Sequence, residues 1–361
     1  MPVKFKKPRH VQYKIKAVLY STFVPTIQIM IKPFFVFLLS VLLAGQLQAQ
    51  LTAADIKMLR KKEDSLKVYA DSMINAVTAG KRFLSDSQFV KTLVRALVTK
   101  NSFRYRFDSL ETISIQYPAD SSFRIFTWQL KKDEYMYYQK GAIQMRTADG
   151  SLKLHPLFDA SMFTGKPNDS VRTKRNWIGA IYYRVIQKEY NGKKYYTLLG
   201  FDDFSVASNR KWMDVLHFDE ASGEPLFGGP FISFAQDTGK MKNKIITRFN
   251  IEYKKEARTL FNYNPEMDMI IYDHLTSETD QPERKESYIP DGDFEGFKWV
   301  NGQWLHIDQV FDFKLKDGDY PRDALIKDDN GNINEKQLME QSEKNIEKAK
   351  KKEAPKKKDN W

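Results

Sequence analysis

Short segments rich in aromatic and β-branched residues recur through the middle of the chain, separated by turn dipeptides. Four such segments are FRIFTWQL (123–130), AIYYRVIQ (180–187), KYYTLLGF (194–201) and MIIYDHL (269–275). The dipeptides that favour two-residue hairpin turns are Asp149-Gly150, Asn191-Gly192, Asn301-Gly302 and Asn330-Gly331, since glycine tolerates the positive φ that those turns need. Short strands joined by tight turns pair antiparallel. The pattern predicts about ten to fourteen antiparallel strands over residues 102–315, arranged as a sandwich or a barrel-like sheet.

A helical hairpin is predicted ahead of the strands, over residues 50–101, which makes the chain mainly β and α+β overall. Thr52 and Asp55 have the spacing of a capping box, with Asp in place of the usual Glu. Apolar residues then recur at helical spacing, and Gly80 is the predicted stop. A second helix is predicted to start at Ser85 and to end near Lys100.

The stretch MIKPFFVFLLSVLLAGQLQAQ (30–50) has the three parts of a signal peptide: a cation, an apolar run and the small residue Ala49. Residues 30–49 are therefore predicted to be a signal peptide, and residues 1–29 either a mis-assigned upstream extension or an unusually long positive leader. The apolar run is too short to span a bilayer.

The chain contains no cysteine, so we expect neither lipidation nor disulfides in the exported protein. The expected location is the periplasm or the cell surface, with no transmembrane span in the mature chain.

The formal charge of +12 lies almost entirely at the two ends of the chain. Residues 1–49 carry seven cations and no acid, and residues 341–361 carry eight lysines against four acids. Because the intervening body is nearly neutral, nucleic acid is not an expected partner. Residues 316–361 are predicted to be a polar linker and a basic, disordered tail. That tail is either simply solvated or a weak electrostatic contact with an anionic envelope surface.

Two groups of carboxylates are the candidate catalytic residues, although turn chemistry also explains them. Asp202 and Asp203 follow one another at the end of a predicted strand, and Asp291, Asp293 and Glu295 lie in PDGDFEG, which is predicted to be a loop. Paired acids serve glycoside hydrolysis, but Asp and Gly also crowd turns. No nucleophile elbow, phosphate loop or dinucleotide motif supports catalysis.

Metal and cofactor sites are not predicted. The four histidines after residue 49, namely His155, His217, His274 and His306, include no pair at ligand spacing. A zinc site would therefore have to be assembled by the tertiary fold. Aligning Gly331 with the sixth position of a calcium loop leaves no acid at positions one and twelve, so the stretch around it is predicted to be a polar turn.

Three segments taken together carry a resemblance to other proteins. They are SSFRIFTWQL, NWIGAIYYRVI with KYYTLLGFDDFS, and YIPDGDFEGFKWVNGQWLHID. They resemble a family of uncharacterised secreted proteins of the Bacteroidota over roughly residues 85–312. The resemblance implies a Gram-negative periplasm or cell surface, and it assigns no site residues.

Two functions remain open from the sequence. The first is a non-enzymatic exported envelope protein whose β domain binds a protein partner or a glycan. The alternative is a periplasmic hydrolase acting on envelope polymers or peptides. A deep pocket with converging acids favours the enzyme, whereas a shallow aromatic surface favours the binding domain.

Overall fold

The computed structural model describes residues 50–133, 135–237, 241–311 and 339. The predicted signal peptide and upstream extension, the Asn330-Gly331 turn and the basic tail lie outside these residues. Within them, no helix is long and apolar enough to cross a membrane.

Two helices open the described chain, α1 (Ala53–Asn75) and α2 (Ala79–Leu97). The capping box is confirmed, because the Thr52 side chain accepts from the backbone N–H of Asp55, and the Asp55 carboxylate accepts from Thr52. The predicted boundary between the helices is wrong. Thr78, not Ser85, caps α2 through the N–H of Lys81, so Gly80 lies in the first turn of α2.

Ser85 has a different role from the predicted helix start, because it lies inside α2 and its hydroxyl donates to Ser72 of α1 at 2.8 Å. The apolar face of α2 packs inward. Phe89, Leu93 and Leu97 are buried in the helix–sheet core.

Sixteen strands follow in the described residues, more than the ten to fourteen predicted. They are β1 Ser114–Gln116, β2 Phe123–Lys131, β3 Tyr137–Met145, β4 Lys153–Phe158, β5 Arg172–Thr173, β6 Ile181–Tyr190, β7 Lys193–Asp202, β8 Ser208–Phe218, β9 Pro225–Phe227, β10 Ile232–Ser233, β11 Ile245–Ile246, β12 Phe249–Lys254, β13 Phe261–Asn264, β14 Met269–Ser277, β15 Tyr288–Val300 and β16 Gln303–Ile307. The mainly β, α+β class is confirmed.

The strands form three sheets. The first sheet has the order β1-β2-β3-β4, the second β5-β9-β8-β7-β6 with β12 also paired to β8, and the third β11-β10-β16-β15-β14-β13. The pairs are antiparallel except for β10 with β16 among these named strands. One of the sheets curls into a half-barrel.

The layers are held together by three apolar cores. The helices cover one face of the first sheet, the second sheet covers the other face, and the third sheet packs on the far side of the second. Strand β7 shows how burial between two layers affects the sequence pattern of a strand. Tyr196 and Leu198 face the first sheet, whereas Thr197 and Leu199 face the third, where the Trp304 indole donates to the Thr197 hydroxyl at 2.7 Å. A strand buried on both faces has no polar alternation, as KYYTLLGF illustrates.

Two of the predicted hairpin turns are confirmed. Asn191 (φ 50°) and Gly192 (φ 74°) join the paired residues Tyr190 and Lys193, and Asn301 (φ 50°) and Gly302 (φ 82°) join Val300 and Gln303. Positive φ at both central residues matches the right-handed twist of the flanking strands. Asp149-Gly150 instead lies in a seven-residue loop between Met145 and Lys153, which are the last pair of the β3–β4 ladder.

Candidate functional site

A polar pocket of about 540 Å³ opens where the first and second sheets meet. The end of β7 supplies Asp202 and Asp203, β3 supplies Gln139, and β8 supplies Arg210 and Trp212. The segment after β4 closes the opposite wall, including a short 3-10 helix at Ser161–Phe163. We refer to this site as the polar pocket.

Asp202 is a buried carboxyl in this wall, only 8% exposed. Its Oδ1 accepts a 2.8 Å hydrogen bond from Nε2 of Gln139. Burial raises the pKa of Asp202 to about 6, the Gln139 hydrogen bond opposes that shift, and the nearby charge of Asp159 adds to it. A carboxyl with this pKa exchanges its proton close to neutral pH, which is a property of general acids and bases.

Asp159 is held beside Gln139 by a close backbone approach. Its Oδ1 accepts from the backbone N–H groups of Ser161 (2.9 Å) and Gly179 (3.0 Å), and from the Ser161 hydroxyl. A Cβ at position 179 would lie 2.2 Å from Cβ of Gln139 and 2.8 Å from Cγ of Asp159. Glycine at 179 therefore permits the two side chains to converge on the pocket.

Several buried polar atoms of the pocket wall lack a hydrogen-bond partner among the described residues: Gln139 Oε1, Asn168 Oδ1 and Trp212 Nε1. Trp212 is close enough to Asp202 to favour its ionised form and lower its pKa slightly, but it makes no hydrogen bond of normal geometry. Leaving a buried polar group unpaired costs about 1–3 kcal/mol. Gln139 Oε1 and Trp212 Nε1 on the strand wall, with Asn168 Oδ1 on the facing segment, are therefore groups that a polar ligand can satisfy.

The other charges of the pocket already have partners within the protein. Asp203 forms an ion pair with Lys255. The Arg210 guanidinium pairs with Glu252, with Nη2 2.8 Å from Oε2, and it stacks on the Phe204 ring at 3.2 Å from the centroid. These fixed groups shape the rim, while Asp202 and Gln139 form the inner wall.

A second polar cluster lies on the third sheet and contains the other predicted acids. Nε2 of His306 lies 3.1 Å from Glu295 and 2.7 Å from the hydroxyl of Tyr272, which also donates to Glu295 at 2.5 Å. Nδ1 of His306 lies 2.9 Å from Asp237 and 3.2 Å from Asp308. We refer to these five residues as the His306 network.

Charge balance within the His306 network favours an imidazolium. Burial lowers the pKa of His306, but the hydrogen bonds to Glu295 and Asp237 outweigh it and raise the pKa above its ordinary value. Burial likewise raises the pKa of Glu295, and the contacts with His306 and Tyr272 reverse that effect, so its pKa is lowered. Both shifts favour the charged pair.

A metal ion is one further use for part of this network. Ligand atoms of Asp237, His306 and Asp308 lie within 4.8 Å of one another, and this set alone meets that criterion in the described part of the chain. A metal on Nδ1 would have to replace the proton that the two aspartates stabilise there. The contacts therefore fit a protonated histidine better than a metal centre.

The predicted acids thus divide between two places. Asp202 and Asp203 line the polar pocket, while Glu295 belongs to the His306 network and Asp291 pairs with His274 at its edge, 2.6 Å from Nδ1. Asp293 is exposed and contributes its backbone N–H to the Asp291 side chain at 3.1 Å. The prediction of a loop for PDGDFEG is wrong, since all seven residues lie in β15.

Sequence reasoning missed Gln139, Asp159 and Asn168, which reach the polar pocket from separate segments. For Asp159 a weak signal existed. An Asp two residues before Ser161, directly after a strand, is typical of a side chain that hydrogen-bonds its own backbone in a turn. Gln139 and Asn168 carry no local signal, because only the pairing of the sheets brings them to Asp202.

No family model, curated protein or solved structure matches this chain in the comparisons made. We therefore infer the function of the protein from the geometry of the polar pocket.

Proposed function

We propose that this chain is a non-enzymatic exported envelope protein that binds a sugar or short glycan in the polar pocket. The observation that carries the proposal is the convergence of Gln139 Oε1, Asn168 Oδ1 and the Asp202 carboxyl in one pocket. Sugar hydroxyls donate and accept hydrogen bonds, so one ring can satisfy unpaired acceptors and the Trp212 N–H together. Tyr135 and Tyr137 at the rim offer aromatic faces for the ring.

Export supports an envelope ligand. The signal-peptide pattern at residues 30–49 and the resemblance to secreted Bacteroidota proteins both favour the periplasm or cell surface. We infer cleavage between Ala49 and Gln50, which N-terminal sequencing of the exported protein tests. A mature protein that retained residues 1–29 would contradict this inference.

The binding proposal is tested with neutral trisaccharides and the GlcNAc–MurNAc disaccharide, measured by calorimetry and ligand-observed NMR. We expect at least one to bind, and Gln139→Leu and Asn168→Leu each to weaken that binding ten-fold or more by removing an acceptor. Asn262→Leu is the matched control, because Asn262 is an exposed amide on β13 away from the pocket. If no sugar of the panel binds, or Gln139→Leu binds as the wild type does, the proposal is wrong.

A hydrolase acting on the same ligand is the second candidate. The specific observation in its favour is the pair of neighbouring carboxyls Asp202 and Asp159, of which Asp202 is buried and has its pKa raised to about 6. Two carboxyl groups in different environments are the arrangement by which glycosidases divide acid and base roles. New reducing ends in the same binding assays, abolished by Asp202→Asn and by Asp159→Asn, would establish the hydrolase instead of the binding protein.

A further inference from the structure

An apolar groove of about 550 Å³ runs beside α2 over the first sheet. One wall is α2, through Phe83, Val90 and Val94, and the floor is β2 to β4, including Trp128 and Phe158. The helices cover β2 but leave the outer face of β4 open. We refer to this feature as the apolar groove.

The exposed apolar side chains around the groove are large. Phe158 is 60% exposed, and Met162 and Phe163 in the 3-10 helix are 55% and 88% exposed. A contiguous apolar surface with a cavity beneath it is typical of a binding site rather than of scattered surface residues. Lys140 is the groove's cation, and its Nζ pairs with Asp86 at 3.4 Å, so this charge is already balanced.

The apolar groove and the polar pocket are neighbours with a shared wall. Gln139, Asp159 and Met162 line both. The 3-10 helix at Ser161–Phe163 stands between them, with Met162 facing both sides. The apolar groove therefore offers a surface for a hydrocarbon chain, and the adjoining polar pocket offers hydrogen-bonding groups.

We infer that the ligand is an amphiphile: an acyl or alkyl chain in the apolar groove, joined to a hydroxylated head in the polar pocket. This inference rests on the proposed sugar-binding function and deepens it, since it makes the ligand a glycolipid rather than a free sugar. Each cavity lies within the range of about 300–1,000 Å³ typical of small-molecule sites. Because the charge of Lys140 is balanced by Asp86, the apolar groove suits an uncharged hydrocarbon chain. Gln139 and Asp159, where the groove meets the polar pocket, are polar and suit the hydroxylated head of the ligand.

The experiment uses octyl, decyl and dodecyl maltosides below their critical micelle concentrations, titrated into the purified protein by calorimetry. We expect affinity to rise at least ten-fold from octyl to dodecyl, because each added methylene leaves water for the groove. Val94→Glu and Phe158→Ser should flatten that dependence on chain length. Val68→Glu is the matched control, because Val68 is an exposed helical valine on α1 outside the groove.

Gln139→Leu separates this inference from the proposed function. We expect this substitution to weaken the binding of all three maltosides by a similar factor, while their affinity still rises with alkyl chain length. If all three bind in this way while free trisaccharides do not, free-sugar binding fails and the amphiphile inference stands. If no maltoside binds, if Val94→Glu keeps the full chain-length dependence, or if Gln139→Leu leaves every maltoside unaffected, the amphiphile inference is overturned.

Discussion

Gln139 on β3 donates a 2.8 Å hydrogen bond to Asp202 at the end of β7, and it thereby links the first sheet to the second across the polar pocket. The bond is made to a carboxyl whose burial disfavours its own charge. Burying this carboxyl costs folding stability at neutral pH, a cost that functional sites often carry.

Asp202→Asn should stabilise the protein above pH 6 by about 3 kcal/mol. The folded pKa of about 6 lies above the ordinary value of 3.8, so the protonated carboxyl favours folding, and that contribution is lost as the pH rises from about 4 through 6. Asparagine keeps the acceptor for Gln139 without the charge. Urea unfolding at pH 4 and pH 8 measures the effect, and equal stabilisation at both would contradict the shifted pKa.

The His306 network should stabilise the fold in a limited pH window. The raised pKa of His306 adds stability below its ordinary pKa, which is lost as the pH rises through the folded value. The lowered pKa of Glu295 adds stability above its ordinary value, which is lost as the pH falls through the folded one. Melting curves of wild type and His306→Gln should therefore differ most between about pH 5 and 6.5. A constant difference from pH 4 to 9 would refute the charged pair.

The buried ion pair of Arg248 with Asp214 should be the most sensitive electrostatic contact of the second sheet. Both side chains are 1% exposed, with Nε 2.7 Å from Oδ2. Arg248→Met leaves the aspartate charge buried without its partner, and we expect a loss of about 3–5 kcal/mol in unfolding free energy. Lys193→Met, in the exposed pair with Glu220, is the control and should change little. Similar losses in both variants would show that burial does not govern these pairs.

The two confirmed hairpins should respond differently to alanine. Gly192 has open space around a built Cβ, whereas a Cβ on Gly302 would lie 2.5 Å from the Tyr190 ring. Gly192→Ala therefore carries only the strain of positive φ, about 1 kcal/mol, and Gly302→Ala adds a steric clash. We expect a larger fall in melting temperature for Gly302→Ala. An equal fall in both variants would mean that Tyr190 moves aside freely.

Local chemistry in the sequence determined the elements of this fold. Asn191-Gly192 and Asn301-Gly302 form hairpin turns because both residues of each dipeptide tolerate positive φ, whichever sheets the turns join. The capping box at Thr52 likewise specifies the start of α1. Asp149-Gly150 carries the same signal as the other dipeptides, yet β3 and β4 pair with a longer loop. The helix start predicted at Ser85 is likewise misplaced, because the Thr78 side chain caps α2.

Tertiary structure alone decided how the sheets are stacked and what meets in the polar pocket. A strand such as β7, which shows no polar alternation through YYTLLGF, indicates burial on both faces but does not specify the layers that cover it. The pKa of Asp202 depends on burial by residues distant in sequence, and Gln139, 63 positions earlier, reaches it through pairing between sheets. The contact of His306 with Asp237, 69 positions earlier, arises in the same way, whereas Glu295 lies across the β15–β16 hairpin and Asp308 is two positions away. Sequence spacing indicates only neighbours within a few residues, whereas the chemistry of both sites also depends on contacts between segments far apart in the chain.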